Sequence, residues 1–153
     1  MEAVKKMQMV DLLSQYHKIK NEIDQAILNV VTSSAYINGP EVKTFAKELE
    51  DYMGVKHVIP CANGTDALQI AMMALDLKPG DEVITASFTY VATAEVIALL
   101  QLKPVLVDVY SDDFTIDCEA IEKAITPKTK AIVPVHLFGQ CADMQRVMEI
   151  AKK

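Results

Sequence analysis

The chain contains no tryptophan and only one arginine, Arg146, among its 153 residues. Its formal net charge is −6 at pH 7, and its lysines are scattered along the sequence. Proteins that bind nucleic acid need clustered lysine and arginine, because neutralising phosphates releases counterions. The composition therefore argues against a nucleic acid partner.

Cysteine is also scarce. The three cysteines, Cys61, Cys118 and Cys141, are odd in number and lie far apart. This pattern excludes a disulfide framework and a zinc site. We expect three free thiols in or near the core and no bound metal.

Long apolar runs are missing as well. The longest uninterrupted run, Ile70 to Leu75, is far too short to cross a bilayer. The stretch through Lys5 and Lys6 is followed by no signal-peptide core. We therefore expect a cytoplasmic protein without a membrane partner.

Glycine occurs at only five positions, 39, 54, 64, 80 and 139. No two glycines are separated by a single residue, and none is followed by lysine. The dinucleotide-binding fingerprint and the P-loop are therefore both absent.

The pattern of apolar residues divides the chain into two parts. Residues 1–54 are predicted to form a helical segment, in which Pro40 starts the second helix and Gly54 ends it. Residues 55–153 alternate between apolar strands and helices, which predicts an incomplete α/β domain with a parallel sheet. The predicted strands are 57–61, 83–87, 105–109 and 131–135, and the predicted helices are 66–75, 89–100, 117–125 and 143–152.

Two of these helices are apolar almost all round. Between Ala67 and Leu75 the only polar residue is Gln69, and between Ala94 and Leu100 it is Glu95. A helix of this kind is buried on every side. We expect further protein, from a longer chain or from a second subunit, to cover them.

The tripeptide Asn63-Gly64-Thr65 stands where an apolar strand is predicted to turn into a helix. Glycine lets the backbone approach a ligand closely, and the free amides at a helix start attract an anion. The corner is therefore a candidate phosphate site. An ordinary strand-to-helix turn with a threonine cap is the alternative.

Five motifs occur in order along the chain: Tyr36-Ile37-Asn38-Gly39-Pro40-Glu41-Val42, Asn63-Gly64-Thr65-Asp66-Ala67-Leu68, Lys78-Pro79-Gly80-Asp81-Glu82-Val83-Ile84, Thr89-Tyr90-Val91-Ala92-Thr93 and Thr129-Lys130-Ala131-Ile132-Val133-Pro134-Val135-His136. Together they resemble the N-terminal portion of the DegT/DnrJ/EryC1/StrS family. Its members are nucleotide-sugar aminotransferases that depend on pyridoxal 5'-phosphate.

The resemblance implies an α/β fold, that of the fold-type-I pyridoxal-phosphate transferases, of which the chain would form part of the large domain. It also implies a homodimer that transfers an amino group, usually from glutamate, to a keto-sugar linked to a nucleotide. Such enzymes serve polysaccharide or antibiotic sugar biosynthesis.

The resemblance also implies roles for individual residues. Gly64, Thr65 and Asp66 match the family's site for the cofactor phosphate, and Tyr90 matches the aromatic residue that stacks on the pyridine ring. Tyr90 could instead be a core aromatic residue with its hydroxyl group at the surface.

The roles of three further residues are open. His136 follows a predicted strand and could contact cofactor or substrate, or could be a hydrogen-bonded structural residue. Asn38 and Gly39 match a family segment near the sugar site, although such loops also form simple helix connections.

The family's reaction needs two residues for which this sequence has no matching motif. They are the aspartate of an E-D-x-A-Q-like strand and the lysine that forms the Schiff base, which we expect beyond Lys153. We therefore expect a fragment that is inactive alone. A sugar dehydratase of the same family, using pyridoxamine phosphate, and a non-catalytic regulatory or binding homologue remain alternatives.

Overall fold

The computed structural model describes residues 9–153, so Lys5 and Lys6 lie outside the described part. The chain divides into two compact units, one ending at Pro60 and the other beginning at Cys61. The domain assignment made above, 1–54 and 55–153, stays a prediction. In residues 9–153 we find no helix with the length and apolar character that a membrane span requires.

The first unit contains helix α1, Leu12–Ser33, and helix α2, Pro40–Met53. The carboxylate of Asp11 accepts a hydrogen bond from the Ser14 amide and so caps the start of α1. Helix α2 begins with Pro40 and ends at Gly54, whose φ of 65° is left-handed. The predicted limits of the second helix are therefore confirmed.

The second unit is built around a parallel sheet of three strands. These are β1, Glu82–Ala86, β2, Lys103–Val107, and β3, Thr129–Val133, in the spatial order β2-β1-β3. In the register of the sheet, Thr85 of β1 lies opposite Leu106 of β2 and Val133 of β3. The predicted parallel sheet is confirmed.

Four α-helices accompany the strands: α3, Gly64–Ala74, α4, Ala92–Leu99, α5, Cys118–Ala124, and α6, Met144–Ala151. A 3₁₀ turn, Leu137–Gly139, connects β3 to α6 and was not predicted. Helix α4 starts at Ala92 rather than at the predicted position 89. Thr89 and Tyr90 are consequently loop residues.

Both faces of the sheet are covered, as the apolar strands predict. On one face Ile84 packs in a cluster with Ile121 of α5 and Val147 of α6. On the other face Val83 packs with Met72 of α3 and Val96 of α4. Strand β1 is buried along its whole length and forms the centre of this three-layer arrangement.

One predicted strand is wrong. Residues 57–61 pair with no strand in the part of the chain that the structure describes. The amide of Val58 donates to the Glu50 carboxylate, and Pro60 has no amide hydrogen to donate. The segment is therefore apolar but lacks the ladder of hydrogen bonds that defines a strand.

The two apolar helices are buried on only one side within this unit. Ile70 and Met73 of α3 are 45% and 60% exposed, and Leu99 of α4 is 64% exposed. The chain alone therefore does not cover these helices, and the expectation that further protein covers them stays a prediction. The outer faces of both helices remain apolar surface.

The cysteines are free, but their expected burial holds for only one of them. Cys118 is buried, whereas Cys61 and Cys141 are exposed.

Candidate functional site

Helix α3 begins with a reciprocal pair of side-chain contacts. The Oδ1 atom of Asn63 accepts a hydrogen bond from the Asp66 amide at 2.9 Å, and its Nδ2 donates to the Asp66 carboxylate at 3.1 Å. Asn63 is therefore the N-cap, and its extended backbone turns the chain into the helix. The cap is therefore an asparagine and not a threonine, as the alternative turn would have it.

The cap leaves two amides available. The Ala67 amide donates to the Asn63 carbonyl and the Asp66 amide to the Asn63 side chain. The amides of Gly64 and Thr65, in the first turn, have no acceptor within residues 9–153. They point out of the positive end of the helix dipole, which favours an anion.

A cleft of about 400 Å³ opens beside these amides. Its volume falls in the range of roughly 300–1,000 Å³ that is usual for small-molecule sites. The cleft lies at the carboxyl ends of β1 and β3, where ligands collect in open parallel sheets. It is lined by Gly64, Thr65, Leu68, Thr89, Tyr90, Ala92, Thr93 and Val135.

The cleft has room at Gly64 and an aromatic wall at Tyr90. A Cβ atom placed on Gly64 would meet no atom within 4 Å, so the backbone there is open to a ligand. Tyr90 is 78% exposed, which excludes the alternative in which it is a core aromatic residue. Gly64, Thr65 and Tyr90 thus come together as the sequence predicts, although their roles in binding stay predictions.

Asp66 does not line the cleft. Its amide and its carboxylate are both engaged by Asn63. A carboxylate in the first turn also stabilises the helix through its dipole. Asp66 therefore shapes the helix start through its contacts with Asn63, and its predicted role in binding the cofactor stays a prediction.

His136 lies just after β3, beside the cleft residue Val135. Its side chain is tied to the turn that follows, because the Ala142 amide donates to Nδ1 at 3.1 Å.

Asn38 and Gly39 belong to the first unit, in the connection between α1 and α2. Asn38 has a left-handed φ of 49°, and Gly39 is buried. A Cβ atom at Gly39 would lie 2.3 Å from the Ala35 carbonyl oxygen, so only glycine fits this close approach. The packing accounts for Gly39 as a helix connector, and contact with a sugar stays a prediction.

Several residues of the cleft were not predicted from the sequence. They include Leu68 of α3, Thr93 of α4 and Val135, which follows β3. The apolar run after position 129 is the only sequence signal for Val135. Among the described residues, no three histidine, cysteine, aspartate or glutamate side chains are placed to hold a metal ion.

Free amides at a helix start, at the carboxyl edge of a parallel sheet, define an α/β protein with a candidate phosphate site. Residues 17–153 match the DegT/DnrJ/EryC1/StrS aminotransferase family. The chain belongs to this family, which confirms the resemblance read from its motifs.

The relatives include the UDP-2-acetamido-2-deoxy-3-oxo-D-glucuronate aminotransferase of Pseudomonas aeruginosa. It is 52% identical over 147 residues, which are 96% of this chain and 41% of that protein. The chain thus spans about two fifths of the length of this relative.

Solved structures confirm the predicted fold class. The chain is similar to a DegT DnrJ EryC1 StrS aminotransferase from Brucella abortus, with a TM-score of 0.91 and 46% identity over 96% of this chain and 41% of that one. It is also similar to NtdA from Bacillus subtilis with bound cofactor PMP, with a TM-score of 0.91 and 34% identity over 99% and 35% of the two chains.

Proposed function

We propose that this chain forms the cofactor-phosphate side of a pyridoxal-phosphate-dependent sugar aminotransferase. The observation that carries the proposal is the pair of free amides at Gly64 and Thr65, which share one cleft with the exposed ring of Tyr90. The similarity to a structure with bound PMP supports it.

The residues present fit the cofactor. The two amides and the helix dipole suit a dianionic phosphate, and the open space at Gly64 allows close approach. The face of Tyr90 suits a flat conjugated ring. When bound, pyridoxal phosphate supplies the electron sink for transfer of the amino group.

The substrates of the whole protein are part of the same proposal. The amino acceptor is a keto-sugar linked to a nucleotide, as the name of the Pseudomonas relative supports. The donor is an amino acid, for which glutamate is our choice. We further propose a cytoplasmic homodimer, and we assign the Schiff-base lysine to no residue between 1 and 153.

Replacing Gly64 tests the phosphate site. Gly64→Pro removes one amide donor at the first helical position, where a helix tolerates proline well. Asn63, with φ −163° and ψ 174°, already has the extended backbone that a following proline requires. Gly64→Ala keeps the amide and is the matched control.

Binding of pyridoxal phosphate is measured by absorbance titration of each variant. A hydrogen bond to a charged group contributes about 1.5–3 kcal/mol, so Gly64→Pro is expected to weaken binding roughly tenfold or more. Wild-type affinity in both variants, with both chains folded by circular dichroism, would place the phosphate elsewhere.

A further inference from the structure

The connection between β2 and α5 is held together by its own hydrogen bonds. Val109 and Ile116 pair in an antiparallel bridge, and Ile116 is only 1% exposed. The Tyr110 carbonyl accepts from the Phe114 amide at 3.0 Å, and the Tyr110 hydroxyl accepts from the Cys118 amide at 3.1 Å. The conformation of this loop therefore depends on contacts within the protein and not on a ligand.

Phe114 in this loop has a backbone conformation that its residue type rarely adopts. Its φ of 59° lies in the left-handed region. Such a conformation persists only where the surrounding structure imposes it. The ring is 42% exposed and belongs to neither of the two apolar clusters of the sheet. Packing into the core therefore does not account for the position of this ring.

The ring of Phe114 instead contacts the ring of Phe88, in the loop that follows β1. Their centroids are 5.3 Å apart and their planes are tilted by 38°, within the favourable range for aromatic pairs. Phe88 is itself 50% exposed and lies outside both apolar clusters. Because β1 and β2 are parallel neighbours, the two loops leave the sheet at the same edge. The aromatic pair joins them there.

The loop that contains Phe88 also carries Tyr90, which lines the cleft. At one end of this loop the Ser87 amide donates to β2 at 2.8 Å, and at the other the Val91 carbonyl accepts from α4 at 2.9 Å. Between these two bonds, the amides of residues 88–90 donate to no backbone acceptor within residues 9–153. The ring of Phe88 thus provides an attachment that the backbone of this stretch lacks.

We infer that Phe114 is a positioning residue for Tyr90: by stacking on Phe88, it fixes the loop that presents the Tyr90 ring to the cleft. The inference rests on the proposed function, in which that ring faces the cofactor. Phe114 does not line the cleft, so its effect on a ligand is exerted through the loop.

Nitrogen-15 relaxation of the ligand-free chain tests the inference. Phe114→Leu keeps an apolar side chain but loses the ring, and the order parameters of the Thr89 and Tyr90 amides should fall from about 0.85 to about 0.6. Phe114→Tyr keeps the ring and should retain the wild-type values. Phe88→Leu removes the other ring and should reproduce the fall. Wild-type order parameters in both leucine variants would overturn the inference.

Affinity for pyridoxal phosphate tests whether Phe114 acts through Tyr90. Phe114→Leu should bind about two- to tenfold more weakly than the wild type, as expected for the loss of one aromatic pair, and Phe114→Tyr should bind like the wild type. In a Tyr90→Ala background, Phe114→Leu should cause no further loss, because the two residues act as one unit. An equal loss in both backgrounds would contradict the positioning role.

The amide signals of Gly64 and Thr65 separate this inference from the proposed function. If pyridoxal phosphate shifts neither signal in the wild type, the phosphate site is wrong, and the order parameters alone decide whether Phe114 fixes the Tyr90 loop. If both signals shift and Phe114→Leu binds with wild-type affinity, the phosphate site stands and the inference is wrong.

Discussion

The side-chain oxygen of Asn63 lies 2.9 Å from the amide nitrogen of Asp66 and accepts its hydrogen. This single contact decides how many donors the start of α3 can offer a ligand. It occupies the third amide of the helix and leaves those of Gly64 and Thr65. The cap therefore shapes the candidate phosphate site without lining its cleft.

Removing the cap should destabilise the second unit. Asn63→Ala leaves the Asp66 amide without its acceptor, and we expect the free energy of unfolding to fall by about 1 kcal/mol. Asn63→Ser retains an oxygen at the cap and should lose much less. Urea unfolding followed by circular dichroism measures both, and equal losses in the two variants would contradict the capping role.

Tyr90 should contribute to cofactor affinity but little to stability, because its side chain is mostly exposed. Tyr90→Ala removes the stacking face and should weaken pyridoxal phosphate binding roughly three- to tenfold, which corresponds to about 0.5–1.5 kcal/mol. Tyr90→Phe keeps the ring and should bind like the wild type. Absorbance titration compares the three proteins. A large loss of affinity in Tyr90→Phe would mean that the hydroxyl group, and not the ring face, binds the cofactor.

Glu82 should make the stability of the sheet depend on pH. Its carboxylate is buried at the start of β1, where Thr126 Oγ1 donates at 2.5 Å and Lys103 Nζ at 3.0 Å. The Thr126 hydroxyl first, and then the Lys103 ammonium, hold the pKa of Glu82 below its ordinary value of 4.5.

Because this pKa is lower in the folded chain than in the unfolded one, the group stabilises the folded state above about pH 4.5. That contribution is lost as the pH falls through the folded pKa. Urea midpoints measured between pH 7 and about pH 3 should therefore fall more steeply in the wild type than in Glu82→Gln. Parallel curves for the two proteins would assign the acid sensitivity to other groups.

The three thiols should react at very different rates. Cys61 and Cys141 are exposed, whereas Cys118 is 3% exposed, and burial raises the pKa of its thiol. A thiol reagent should therefore label the first two quickly and Cys118 only when the chain unfolds. Mass spectrometry of peptides after brief labelling identifies the sites. Rapid labelling of Cys118 in the native chain would show that its helix opens readily.

Much of the α/β unit was predictable because Val83 and Ile84 form a short apolar run in β1, a strand that is buried along its length. Strands β2 and β3 begin earlier than predicted. Pro104 and Lys103 look unsuited to a central strand, but β2 lies at an edge of the described sheet, where proline and exposed charge are tolerated. Whether a strand lies at the edge or in the centre of a sheet depends on its neighbours in space, which the sequence does not show.

The candidate site was predictable where it depends on topology and unpredictable where it depends on loop conformation. Tyr90 follows β1 and so could be placed at the carboxyl edge of the sheet in advance, whereas Gly64 follows residues 57–61, which form no strand, and reaches the cleft as the first residue of α3. The contact of His136 with Ala142 requires a left-handed backbone at Phe138, which a phenylalanine rarely adopts. No pattern in the sequence predicts that turn.

The order β2-β1-β3 also has a consequence for how the protein is made. The middle strand leaves the ribosome before either of its neighbours, and its second partner follows only after two intervening helices. Until β2 emerges the buried central strand has no ladder to join, and until β3 emerges one of its edges stays unpaired. Nascent chains at this stage are the ones we expect chaperones to hold.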